Sequence, residues 1–193
     1  MTIGDSNAAR AKILGRIRKA QGRRAGGASP AQLEAVQTYL RAHPRGPVPD
    51  LGGDLVARFR NRAESMQSTT EEVATEAEVA WAVARYLKGN GLPASGCVWP
   101  ALGHLDWRGA GLSLEMRIPR RENGGDDPVG VTGAFAGIAE TGTLMTVTSP
   151  DTPASTSLLP ETHVAVLAAG RIVAHMEEAW DLAVARQPFQ LHR

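Results

Sequence analysis

The chain has 193 residues, 42% of them apolar, which suits one domain core with an appended arm. Its formal net charge of +1 argues against a chain built as a whole for nucleic acid or a membrane surface. A single cysteine, Cys97, excludes an internal disulfide framework and an all-cysteine iron–sulfur cluster held within this chain.

No apolar run approaches the roughly 20 residues that span a bilayer. The N-terminus is basic, with Arg10, Lys12, Arg16, Arg18 and Lys19, but no apolar stretch of the secretory type follows it. The expected location is the cytoplasm. The basic run is expected to be a solvated helix face.

Residues 6–20 have Ala9, Ile13, Leu14 and Ile17 at helical spacing. Gly22–Gly27 then reads as a linker, so residues 1–28 are expected to form a helical arm and 29–193 the main domain. Ser29-Pro30 opens a second helix that runs to about His43. A third covers about Gly53 to Met66. A fourth has a capping box made by Thr75 and Glu78, and Gly89 and Gly91 end it.

Short β-like runs follow: Gly96 to Trp99, Leu112 to Ile118, Val129 to Thr132, Thr143 to Thr148 and His163 to Ala168. A polar loop, "RRENGGDDP", precedes Val129. Gly170 turns the chain into Arg171-Ile172-Val173, and residues 175–186 read as a last helix. Helices followed by short apolar strands indicate an α/β fold with a mostly parallel sheet. Ligands of such sheets sit in loops beyond the strand ends.

That rule selects "VGVTGAFAGIAETGTLMTVTS". Thr132, Gly133, Thr141, Gly142 and Thr143 bring backbone N–H groups and hydroxyls together in a way that suits a phosphate or carboxylate. Glu140 sits among them. Its carboxylate either fixes the loop by accepting N–H bonds or acts as base or nucleophile. No dinucleotide or Walker fingerprint occurs. In "TPASTSLLPETH", the hydroxyls of Ser155, Thr156 and Ser157 cap a helical turn or bind an anion. His163, at the entry to a strand, is more often structural than a metal ligand or a base. The histidines show no i, i+4 pair and no His/Cys cluster, so no metal site is expected. Cys97, in an apolar run, reads as a buried inert thiol.

At Val129-Gly130-Val131-Thr132-Gly133-Ala134, Ile138-Ala139-Glu140-Thr141-Gly142-Thr143-Leu144 and Ser157-Leu158-Leu159-Pro160 with His163, the chain resembles the LUD-domain (DUF162) proteins. The resemblance is to their small LutC-type subunit, associated with lactate utilisation. It implies a Rossmann-like three-layer α/β/α fold similar to the NagB/RpiA/CoA-transferase group. It implies work in a complex that oxidises L-lactate to pyruvate, with iron–sulfur clusters on partner subunits and no cofactor in this chain. A small carboxylate or phosphate ligand is then expected around Thr132, Gly133, Glu140, Thr141, Gly142, Thr143, Ser157 and His163. The family pattern also continues beyond the last helix, whereas this sequence ends at Gln190-Leu191-His192-Arg193. Two other readings stay open: a free-standing enzyme on a sugar-phosphate, CoA-linked or folate-type substrate with Glu140 reactive, or a pure assembly protein.

Overall fold

The computed structural model describes residues 3–22, 28–42, 44–120 and 126–186. Most of the linker reading, part of the "RRENGGDDP" loop and the C-terminal Gln190–Arg193 lie outside the described residues. The chain divides into two compact units, Met1–Pro47 and Val48–Arg193.

The first unit holds α1 (Ile3–Ala20) and α2 (Pro30–Ala42). Ser29 and Gln32 cap α2 reciprocally: Gln32 N–H donates to Ser29 Oγ at 3.3 Å, and Ser29 N–H donates to Gln32 Oε1 at 2.9 Å. This satisfies donors that the first helical turn leaves open. No residue of α2 is buried.

The second unit begins with α3 (Leu55–Ser65) and α4 (Val79–Gly89). α3 starts later than Gly53 because Gly53 takes a φ of 71° and Asp54 caps instead, accepting N–H bonds from Val56 and Ala57. The Thr75 hydroxyl makes no cap bond, contrary to the expected capping box. Residues Glu76–Glu78 form a 3-10 turn ahead of α4, and Glu78 Oε2 accepts from Ala74 N–H at 3.1 Å. Neither bond of the reciprocal pattern forms: the carboxylate reaches the N–H one residue before Thr75.

The strands are β1 (Ser95–Val98), β2 (Ser113–Met116), β3 (Val129–Gly133), β4 (Ala136–Ile138), β5 (Thr143–Met145), β6 (Thr162–Val166) and β7 (Ile172–Val173). Helix α5 (Ser155–Leu158) precedes β6, and α6 (Met176–Arg186) follows β7. One sheet has the order β2-β1-β3-β6 and is parallel throughout. The second has the order β5-β4-β7, with β4 antiparallel to β5 and parallel to β7.

The register of β3 on β6 decides what each sheet face carries. Gly130 lies beside His163 and Thr132 beside Ala165, so these side chains share one face. Val129, Val131, Val164 and Val166 take the other. There they join Val79, Val83 and Leu87 of α4, with Val98, Trp99 and Trp107, in one apolar core. Against the first face, α5 approaches the backbone of β3: a Cβ on Gly130 would stand 2.4 Å from the Thr156 carbonyl oxygen. Helices thus flank the parallel sheet on both faces, in a mixed α/β fold consistent with a three-layer arrangement.

The ladders explain where strand lengths differ from the sequence reading. β5 stops at Met145 because its partner β4 begins at Ala136, paired to Met145. β2 is held to four residues by four-residue β1. β4 itself is a strand that the apolar "AFAGI" run does not announce. No helix among the described residues is long and apolar enough to cross a membrane.

Candidate functional site

Thr132 is fully buried on β3, and its hydroxyl lies 2.8 Å from His163 Nε2 on β6. His163 is exposed as a whole residue, yet its ring is enclosed enough that desolvation lowers its pKa. The neutral imidazole is therefore favoured, with one ring nitrogen donating and the other accepting. In one tautomer Nε2 accepts from Thr132 and Nδ1–H is the donor; in the other the roles reverse.

Gly133 ends β3 beside Trp99, whose ring carbons would lie 3.6 Å from a Cβ there. Ser157 donates its hydroxyl to the Ala154 carbonyl at 2.9 Å, which closes the α5 turn. The neighbouring Thr156 is fully buried.

Glu140 follows β4. Its backbone N–H donates to the Ala174 carbonyl at 3.1 Å, and its carboxylate Oε2 lies 2.9 Å from His175 Nδ1. His175 is buried at the entry to α6. The pair joins the end of β4 to the start of that helix, so the carboxylate is engaged by a side chain 35 positions away. Thr141 and Thr143 bond to each other through their hydroxyls at 2.8 Å. Gly142, between them, has a φ of 72° and is pressed against the last turn of α3.

A groove of about 830 Å³ brings two of these residues together. His163 and Gly142 both line it, with Val56, Phe59 and Arg60 of α3, Val83, Arg85 and Tyr86 of α4, and residues 163–166 of β6 followed by Leu167. Thr132 reaches the groove through His163. Gly133, Glu140, Thr141, Thr143 and Ser157 are not among its lining residues. β6 is the outer strand of the parallel sheet, so the groove runs along a sheet edge. Its lining mixes apolar side chains with the polar residues Gln67, Ser68, Thr69 and Thr70, and its charges are Arg60 with Glu72 and Arg85 with Glu71.

Sequence reasoning missed His175, these arginines and the strap that carries their carboxylates. His175 stands at no recognisable spacing from Glu140; only the β4–β7 pairing brings them together. It also missed Asp127, which ends the polar loop yet is buried. Arg117 holds it through two bonds, Nη1 to Oδ2 at 2.7 Å and Nη2 to Oδ1 at 2.8 Å. The Arg117 hydrogen bonds keep the Asp127 carboxyl below its usual range. Cys97 is fully buried, and burial with the nearby Asp127 charge pushes its thiol up to about 11. Among the described residues, no group of three or more His, Cys, Asp or Glu gathers to hold a metal.

A family model described as the LUD domain matches residues 56–188. The chain belongs to the LUD-domain family. The sequence resemblance thus holds at family level, and the matched segment contains every residue that lines the groove. A crystal structure of a DUF162 family protein from Deinococcus radiodurans is similar, with a TM-score of 0.53 and 25% identity over 68% of this chain and 79% of that one. No curated protein matches.

Proposed function

We propose that this LUD-domain chain is the non-redox, LutC-type subunit of a complex that oxidises L-lactate to pyruvate. In this reading it holds a small carboxylate in the groove, and the iron–sulfur clusters belong to partner subunits. The observation that carries it is the groove itself: its lining falls wholly inside the segment matched to the LUD domain, a family that relates to lactate utilisation.

The chemistry of the lining supports a small polar ligand in a trough of mixed polarity. His163 offers a neutral ring with a donor and an acceptor, steadied by Thr132. Val56, Phe59 and Val83 supply apolar wall for a short carbon chain. The engagement of Glu140 by His175 supports a positioning role for that carboxylate, not a nucleophilic one.

Affinity purification of the tagged chain from its source cell tests the proposal. Recovery of cysteine-rich, iron-containing partners is expected. Recovery of the chain alone, under conditions that retain other complexes, would overturn it.

A further inference from the structure

Residues 67–73 leave α3 and run along the groove toward the 3-10 turn before α4. Adjacent carboxylates on this strap reach different helices. Glu72 Oε2 lies 3.6 Å from Arg60 Nη1 on α3. Glu71 accepts a hydrogen bond from Arg85 Nη2 on α4. All four side chains line the groove. The strap leaves α3 through Gln67, whose φ of 67° puts a non-glycine residue in the left-handed region.

The geometry points to Arg60 and Arg85 as the oxyanion-recognising residues of the groove, with Glu71 and Glu72 occupying them as resident carboxylates. The ligand class is a small molecule bearing a carboxylate or phosphate group. This inference rests on the reading of the groove as the ligand site.

Chemistry and magnitude both favour it. A guanidinium presents the same planar fork to a glutamate, a lactate carboxylate or a phosphate, so one can replace another without rebuilding the site. The pairs are exposed, with side-chain exposures of 45% and 66% for Arg60 and Glu72 and 60% and 45% for Arg85 and Glu71. Exposed pairs of this kind hold weakly. An incoming oxyanion that gains apolar contact along Val56, Phe59 and Val83 has an advantage that the strap carboxylates lack. Because both arginines are matched by a carboxylate when the ligand is absent, the strap lowers the apparent affinity of the groove.

Calorimetric titration of the full chain with L-lactate, and separately with inorganic phosphate, tests this. The Glu71→Gln/Glu72→Gln variant keeps side-chain size and releases both arginines. Its affinity is expected to rise about tenfold, the scale of two weak pairs. Arg60→Gln/Arg85→Gln is expected to weaken binding by at least as much. The pattern appearing with lactate alone assigns a carboxylate ligand, and with phosphate alone a phosphoryl ligand. Binding that appears only in the double glutamine variant of the glutamates also supports the inference. Wild-type binding left unchanged by either double variant overturns it while leaving the groove reading intact. No heat from any variant with either probe overturns both. Urea midpoints of the variants verify that each is folded.

Discussion

Gly142→Ala tests the placement of the Gly/Thr loop against α3. The new Cβ would stand 2.6 Å from Ala63 N and 2.9 Å from the Arg62 carbonyl carbon. Both are backbone atoms in the last turn of a helix and cannot swing aside. Gly142 also has a φ of 72°, where an L-residue pays about 1–2 kcal/mol. Overpacking adds about 1–3 kcal/mol. The expected loss is therefore about 2–5 kcal/mol, a large share of a typical domain's stability. Two other glycines separate the contributions. Gly91 has a φ of 64° with open space around it, so Gly91→Ala should lose only the conformational part, about 1–2 kcal/mol. Gly170 has open space and no positive φ, so Gly170→Ala should change stability by no more than about 0.5 kcal/mol. Urea unfolding at constant m-value measures all three. If Gly142→Ala costs no more than Gly91→Ala, the loop is not wedged against α3 and this boundary of the groove is wrong.

Other substitutions probe the remaining contacts. Desolvation lowers the His163 pKa, so the unfolded chain takes up that proton first; stability should be full above about pH 6.5 and fall below it, and His163→Gln should flatten that slope in acid urea titrations. Asp127→Ala removes both Nη bonds of the largely enclosed Arg117 to that carboxylate but leaves its Glu115 pair and its bond to the Ile118 carbonyl, and should cost about 1–3 kcal/mol in urea unfolding. The Asp127 contribution is present above the usual carboxylate pKa and is lost as pH falls through its lowered value. Glu140→Ala should cost about 1–3 kcal/mol by the same assay, and Glu140→Gln less, because an amide oxygen still accepts from His175.

The sequence made the element types legible wherever period and punctuation agreed. Ser29-Pro30 marks α2, and its Ser/Gln cap forms as the residues suggest. The Val/Thr runs mark β3, buried in the parallel sheet and nearly continuous in apolar and β-branched residues, and β6, its half-buried edge neighbour. β4 stayed hidden because Ala136-Gly137-Ile138 is too short to show a period, and its pairing with β5 and β7 is a tertiary fact. Thr75 and Glu78 carry a correct local signal, but the carboxylate takes the Ala74 N–H while the hydroxyl takes none. Of the residues expected from the motif segments, only Gly142 and His163 line the groove, with Thr132 bonded to His163. Glu140 was visible as a carboxylate that either fixes the loop through N–H bonds or reacts, while its side-chain partner His175 was not visible. The groove is assembled from α3, the 67–73 strap, α4 and β6, which no local spacing connects.

The most direct measurement is lactate-dependent reduction of an electron acceptor by the affinity-purified complex, with and without this chain. The account predicts that removing the chain abolishes most of the turnover and that adding it back restores it. Full turnover by the iron–sulfur partners alone would contradict the claim that this LUD-domain chain is a working subunit of lactate oxidation.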